Sequence, residues 1–413
     1  MDLVINHCSD QHEWFQKAVK DSEGEYSDYF YFVKGKNENP PSNYRSYFGG
    51  SVWEKVPGTD KYYRHLFAKE QPDLNWENPV VRQKLFEMVN WWLEKGIAGF
   101  RIDAIINIKK NLDFPDYEAD GPDGLCACTK MVDDVDGIGE FLQQLKLQTF
   151  KKYDAFTVGE VFNMKSGELE EFVGEDGYFS TMFDFAPHMI GQKGTGWYEN
   201  EDGVKMPATV QILLRGLPFL YQGQEIGMTN CRMKTIDEYE DIDTIHQYQI
   251  AKEAGLSEED AMEVCYKNSR DNARTPMQWS DEPNAGFTKG TPWFIVNGNY
   301  KTINVKSQEN DENSVLNYYR KLIALRKNEE WEDALVDGEF IPAYEDVEGI
   351  MAFYRKGQGR KILVLTNFGK DDTVLTLKEG KYTVLLSNKK EVYLLNKKIK
   401  LAPCEAVVLS VEE

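Results

Sequence analysis

The chain has 413 residues, enough for two or three domains at about 100–200 residues each. Aromatic side chains make up 13% of it, too many for a disordered chain, and no run approaches the ~20 apolar residues of a membrane span. With 69 Asp and Glu against 48 Lys and Arg, the net charge is −21, which repels phosphate backbones and anionic lipid and argues against nucleic-acid or membrane partners.

The N-terminus, Met1-Asp-Leu-Val-Ile-Asn-His7, has neither a basic segment nor a cleavage site, so no signal peptide is expected. Leu3–Ile5 reads as a strand that runs straight into Asn6 and His7. Residues 8–75 are rich in Tyr, Gly, Pro and Asn and poor in periodicity, which marks a functional loop or a small inserted domain. A helix follows, with Asn78 as cap, Pro79 in the first turn, apolar residues at Val81, Leu85, Met88, Val89 and Trp92, and Gly96 as stop. The strand Ala98–Asp103 comes next. A second helix carries Ile138, Phe141, Leu142, Leu145 and Phe150 and leads into the strand Phe156–Glu160. Further strands are expected at Thr181–Phe185 and Leu217–Tyr221, with a helix near Pro207–Arg215 between them. Alternating helix and strand predicts an α/β fold with a parallel sheet.

After a helix at Val315–Lys327 the pattern changes to short strands, Met351–Tyr354, Lys361–Asn367, Thr373–Leu377, Tyr382–Leu386 and Ala406–Val411. They predict a small antiparallel β domain from about residue 335. The six cysteines (8, 126, 128, 231, 265, 404) are scattered; Cys126 and Cys128 match neither a zinc pair nor a redox motif. They read as free, mostly buried thiols in a reducing compartment, which with the N-terminus points to the cytoplasm.

Side chains alternate along a strand. Phe100 and Ile102 therefore face one way, toward covering helices, and Arg101 and Asp103 the other, at the strand's C-terminal end. In a βα barrel that end is the catalytic face. Glu160 ends another strand, and Asp2, Asn6 and His7 surround the end of Leu3–Ile5, so three strands bring carboxylates to one rim. Two carboxylates suffice for glycoside hydrolysis; in the retaining form they lie ~5–5.5 Å apart, one attacking the anomeric carbon and the other protonating the leaving oxygen. Arg101 would hold Asp103 ionised, and Glu160 would need a raised pKa to act as acid. Histidine is scarce, five in all, and no pair has ligand spacing, so neither a metal nor another cofactor is expected.

Several stretches resemble the alpha-amylase family, glycoside hydrolase family 13. Asp2–His7 resembles its first signature, Gly99–Ala104 the second and Val158–Val161 the third. Gln71-Pro-Asp-Leu-Asn75, Tyr221–Gly227 and Ser269–Trp279 resemble stretches of its oligo-1,6-glucosidase branch. The resemblance implies a (β/α)8 TIM-type barrel with an inserted domain after the third strand and a C-terminal antiparallel β domain. The partition is then 1–7 and 76–334 for the barrel, 8–75 for the insert and 335–413 for the β domain. It implies Asp103 as nucleophile and Glu160 as general acid/base. Asp2, His7 and Arg101 would hold the glucose, and Arg270 with Arg274 would close the pocket from a later loop. Ala104, beside the nucleophile, implies tolerance of α-1,4 as well as α-1,6 bonds. The insert's aromatics (Tyr29, Phe30, Tyr44, Tyr47, Phe48, Trp53, Tyr63) are read as its own core rather than as sugar platforms.

The chain departs from the family twice. It starts at the family's third barrel strand, so an incomplete barrel of about five strands is expected. It also lacks the Asn-His-Asp signature of the seventh strand: Gly196–Asp202 runs almost directly into Val204–Thr209, and His188 is not the missing histidine. Loss of a transition-state-stabilising aspartate costs ~10²–10³ in rate. The expected activity is a retaining, exo-acting α-glucosidase acting on small oligosaccharides. A catalytically impaired, carbohydrate-binding remnant and a trehalose-6-phosphate hydrolase or sucrose isomerase are the alternatives.

Overall fold

In the computed structural model the strands Asp2–Val4, Gly99–Asp103, Phe156–Gly159 and Thr181–Met182 lie side by side in that order, every pair parallel. The structure describes residues 1–132, 135–162, 168–174, 176–183 and 200–412. The chain divides into two units, Met1–Gly191 with Ile245–Glu253 and Gln192–Thr244 with Ala254–Glu413.

The first unit contains the parallel sheet. Register pairs Asp2 with Arg101, Val4 with Asp103, and Ile102 with Gly159, so the C-terminal ends of three strands share one rim. The alternation is as expected: Phe100 and Ile102 are buried, while Arg101 and Asp103 are half-buried on the other face. The helix Pro79–Glu94 starts where Asn78 Oδ1 accepts from Val80 N–H at 2.9 Å, and it stops before Gly96, whose φ of 91° a side chain would resist. This helix and Ile138–Gln148 bury Val81, Leu85, Val89, Phe141 and Leu145 in one core with Leu3, Ile5, Phe100 and Ile102. Each such side chain contributes roughly 1.5–3 kcal/mol when withdrawn from water. Gly159 is required by close approach, since a Cβ there would lie 2.5 Å from the Phe179 ring.

Residues 8–75 carry an antiparallel sheet, Phe32–Lys34, Lys61–Arg64 and Trp53–Lys55. A second, unexpected pairing joins Tyr44–Arg45 to Cys126–Ala127, with Arg45 gripping Asp120 at 2.7 Å and Asp123 at 2.6 Å. Phe114, Cys126, Cys128 and Met131 thereby enter the core around Tyr31, Tyr44 and Trp53. Of the insert's aromatics, Tyr29, Phe30, Tyr44, Trp53 and Tyr63 are buried; Tyr47 and Phe48 are partly exposed.

The second unit packs the helices Glu201–Leu213 and Val315–Arg326 on a five-stranded antiparallel sheet, through Leu213, Tyr319, Leu322, Phe353, Val364 and Val408. Strand order is Glu339–Ala343, Ile350–Lys356, Lys361–Asn367, Ala406–Glu412, Lys381–Ser387. A smaller sheet pairs Thr373–Thr376 and Tyr393–Leu395 with Lys398–Leu401.

Three expectations need correction or restriction. The helix expected near Pro207 begins earlier, because Asn200 Oδ1 accepts from Gly203 N–H at 2.9 Å and Glu201 and Asp202 favour its positive end. Leu217–Tyr221 is not a strand; among the described residues no β-ladder includes it, and Leu217, Phe219, Leu220 and Tyr221 are exposed. An apolar run becomes a strand only where a neighbour takes up its backbone groups. Of the expected strand Thr181–Phe185, Thr181–Met182 is a strand; Asp184 and Phe185, like His188, lie outside the described residues.

Candidate active site

The rim is organised by Arg101. Its Nη1 donates to Asp103 Oδ1 at 2.6 Å and to Asp2 Oδ1 at 2.8 Å, and its Nη2 donates to Glu160 Oε2 at 2.5 Å. One planar fork thus meets the carboxylates of three neighbouring strands. The gripping oxygens of Asp103 and Glu160 can be no farther apart than about 7–8 Å, two hydrogen bonds plus the width of the fork. That bound admits the retaining separation of ~5–5.5 Å.

Glu160 is positioned twice. Its backbone N–H donates to Ile102 C=O at 3.0 Å, and its Oε2 accepts the N–H of Ala104 at 2.9 Å. Ala104 reaches it from a left-handed conformation, φ 46°, which is uncommon for a residue with a Cβ and holds the N–H toward the rim. Burial raises the Glu160 pKa above the usual carboxylate value; the Ala104 N–H and the Arg101 charge oppose this, and the nearby Asp103 carboxylate adds to it.

His7 stands beside this group. Burial lowers its pKa to about 4, against the pull of Asp103 and with the help of Lys110. Gln71 Oε1 accepts from Ala68 N–H at 3.1 Å, which turns the Gln71 amide N–H toward His7 Nε2, 3.0 Å away. Asn6 Nδ2 faces the other ring nitrogen at 3.3 Å. A neutral imidazole has one acceptor nitrogen, so one of these two amides donates to the ring while the other ring nitrogen carries the N–H. Phe67 packs on His7 with ring centres 5.1 Å apart, and Tyr47 stacks on Phe67 at 5.3 Å, forming an apolar wall.

Behind His7 lies a buried charge cluster. Asp73 Oδ1 accepts from Asn6 Nδ2 and from Leu66 N–H, both at 3.2 Å. Its Oδ2 pairs with Arg64 and, at 3.4 Å, with Lys110. All three ionic side chains are at most 1% exposed, and burial lowers the pKa of both cations, Lys110 well below its ordinary value and Arg64 to about 10. The sequence signal here was the Gln71–Asn75 stretch, read only as a family mark. The roles of Phe67, Arg64 and Lys110 had no local signal, because they depend on the insert folding against strand ends.

The structure therefore brings Asp2, His7, Arg101, Asp103 and Glu160 together in the first unit. Arg270 and Arg274 belong to the second unit. There Arg270 donates to Asp241 Oδ1 at 2.6 Å, and Arg274 to Asp271 Oδ1 at 2.7 Å. Asp241 and Asp271 are buried. Burial alone would push Asp241 up, but its bonds from Arg270 and Thr244 hold it below the usual range.

Comparison with known proteins places the chain in a family. The family described as "Alpha amylase, catalytic domain" matches residues 1–196 and 188–338, and "Alpha-amylase SusG C-terminal domain" matches 350–408. The oligo-1,6-glucosidase of Parageobacillus thermoglucosidasius is 37% identical, with all of this chain and 82% of that protein covered. The trehalose-6-phosphate hydrolase of Bacillus subtilis is 34% identical, with 94% of this chain and 78% of that protein covered. Among solved structures, Bacillus licheniformis trehalose-6-phosphate hydrolase superposes with a TM-score of 0.83 at 33% identity, covering all of this chain and 83% of that one. Isomaltulose synthase from Protaminobacter rubrum superposes with a TM-score of 0.84 at 30% identity, covering all of this chain and 84% of that one.

The fold and its relatives define a glycoside hydrolase of the (β/α) TIM-type barrel class with a C-terminal antiparallel β domain. The chain belongs to the alpha-amylase family, glycoside hydrolase family 13. Two features bear on the missing seventh-strand signature. The catalytic-domain match divides at 188–196, and the alignment with the first glucosidase runs over 470 positions for a chain of 413, so that relative carries segments this chain lacks.

Proposed function

We propose that the chain is a retaining, exo-acting α-glucosidase that releases terminal glucose from short α-linked oligosaccharides. The observation that carries this reading is the shared grip of Arg101 on Asp103 and Glu160. Asp103, ionised, attacks the anomeric carbon. Glu160, protonated, donates to the leaving glycosidic oxygen. The glycosyl ester on Asp103 is then hydrolysed by a water from which Glu160, now a base, takes a proton. Asp2, His7 and Arg101 orient the glucose; neutral His7 accepts or donates one hydrogen bond without adding charge to a site where positive charge develops on the sugar. We keep for Arg270 and Arg274 the substrate-contacting role that the resemblance implies, and for Ala104 the tolerance of both linkages.

We also assign residues 1–7 and 76–334 to the barrel, 8–75 to the insert and 335–413 to the β domain, with the cytoplasm as the compartment. The free thiols support that location; among the described residues no helix is long and apolar enough to cross a membrane.

The test is nitrophenol release from p-nitrophenyl α-glucoside, with the anomer of the released glucose followed by NMR. Turnover giving α-glucose first, and lost in Asp103→Asn, is the expected result. Turnover unaltered by that substitution, or β-glucose as first product, overturns the assignment. A second reading, carbohydrate binding without turnover, is favoured by the break in the family match at 188–196. Glucoside binding by calorimetry with no nitrophenol released would establish it. Trehalose-6-phosphate is the alternative substrate that the relatives suggest, distinguished by assaying both glucosides.

A further inference from the structure

The small sheet of the second unit sets Thr373–Thr376 and Tyr393–Leu395 on either side of Lys398–Leu401. Its inner face buries Leu375, Ile399 and Leu401, and on its outer face register places Val374, Lys400 and Tyr393 in one row. Asn396 and Lys397, with φ of 50° and 60°, form the two-residue turn between the last two strands. In such a hairpin the flanking residues, Leu395 and Lys398, exchange hydrogen bonds, so the next pair, Leu394 and Ile399, does not. The N–H and C=O of Leu394 therefore point away from Lys398–Leu401, toward the open edge of the sheet. Among the described residues no hydrogen bond outside that ladder reaches the backbone of residues 392–396.

The other edges of the antiparallel sheets in this unit are each blunted. Glu339–Ala343 carries Pro342, and Lys381–Ser387 shifts register between Val384 and Leu386. Thr373–Thr376 has its Thr376 C=O taken by the Tyr344 hydroxyl at 3.0 Å. Tyr393–Leu395 has no such device. It reads Tyr-Leu-Leu, without a charge, and Tyr393 is 63% exposed and Leu395 74%. An exposed, uncharged edge with outward backbone groups is a template for another strand.

We propose that this edge pairs with the same edge of a second copy of the chain, antiparallel, about a two-fold axis at Leu394. A strand paired antiparallel with itself is two-fold symmetric, so both copies present one surface and the assembly closes as a dimer. Centring on Leu394 lets its outward N–H and C=O bond to those of the partner's Leu394, one bond in each direction. Tyr393 then lies against the partner's Leu395, which continues the apolar outer face. The stretch is also self-complementary in charge. Glu391 and Lys397 stand three residues either side of Leu394, so Glu391 faces the partner's Lys397 at both ends. Glu391 accepts the Tyr393 hydroxyl at 3.1 Å, and Lys397, paired with Glu379, keeps 43% of its side chain exposed, so each has room for a further partner. The contact is far smaller than a standard interface of ~1,600 Å², so the dimer is weak and forms with rising concentration.

Sedimentation velocity of the full chain is the experiment, and it does not depend on the activity of the rim. Between about 10 μM and about 500 μM, the range in which a small interface associates, the weight-average mass should climb from one chain toward two. Leu395→Lys changes an exposed position, so its melting temperature should match that of the unaltered chain while association falls about tenfold. Glu391→Lys and Lys397→Glu should each weaken association about fivefold, since each sets like charges together twice, and the double variant should restore it. Rescue by charge exchange tests the register as well as the surface. A chain that stays monomeric over that range overturns the proposal. So do growth past two chains, an association that Leu395→Lys leaves untouched, and a double variant no tighter than either single one. The charge variants keep the test valid if Leu395→Lys fails to fold.

Discussion

Arg101 and Glu160 meet at 2.5 Å, although 59 residues separate them and they sit on different strands. The contact exists because Gly99–Asp103 and Phe156–Gly159 are adjacent and in a register that carries Glu160 just past the end of its strand, level with Arg101's partner Asp103. The Arg101 charge there opposes the burial that raises the Glu160 pKa.

Removing the fork should therefore do two things. Arg101→Ala should lower kcat/KM by about 10²–10³, the usual effect of losing one preorganised electrostatic contact. It should also move the alkaline limb of the pH–rate profile upward. The Arg101 charge opposes the raised Glu160 pKa, so its loss favours the protonated carboxyl to higher pH. The profile of kcat/KM against pH for both proteins checks this.

Glu160→Gln should cost about 10²–10⁴ on a substrate whose leaving sugar needs a proton. The loss on the first chemical step should be far smaller with a nitrophenyl glucoside, whose leaving group is already stable as an anion. Parallel kinetics on maltose and the nitrophenyl substrate measure the difference.

His7 gives a signed stability prediction. Its pKa falls from 6.5 to about 4 in the fold, so between those values the unfolded chain binds a proton that the folded chain does not. The stability from neutral His7 is complete above pH 6.5 and is lost as pH falls toward 4, reaching about 3 kcal/mol at most. Urea unfolding of His7→Gln and the parent at several pH values should show a shallower slope for the variant in that window.

The buried cluster of Arg64, Asp73 and Lys110 carries two cations on one carboxylate. Asp73→Asn should destabilise the fold by about 3–5 kcal/mol, because both charges lose their partner. Arg64→Leu should be neutral or stabilising by about 1 kcal/mol, since it removes a like charge from Lys110 and fills the space with apolar atoms. Denaturant midpoints for the two variants provide the comparison.

Gly159→Ala should destabilise by about 1–3 kcal/mol, the cost of overpacking, because its Cβ would meet the Phe179 ring at 2.5 Å. A lowered melting temperature with proportionate loss of activity is expected, Glu160 being the next residue.

The sequence alone determined the parts governed by short-range periodicity. A two-residue repeat placed Phe100 and Ile102 inside and Arg101 and Asp103 on the rim. Asn78, Pro79 and Gly96 bounded a helix, and short runs between Gly, Lys and Asn announced the C-terminal strands. Motif order along the chain was enough to name the family. Tertiary structure decided the rest. Which carboxylates share Arg101 depends on strand register, and the neutral state of His7 depends on being buried among Gln71, Asn6 and Phe67. Leu217–Tyr221 is an apolar run that joins no β-ladder among the described residues, and the exposed row of Val374, Lys400 and Tyr393 came from pairing strands whose order local pattern does not encode. The reason is common to all four: propensity acts over a few residues, whereas hydrogen-bond ladders, burial and charge pairing act between residues brought together from anywhere along the chain.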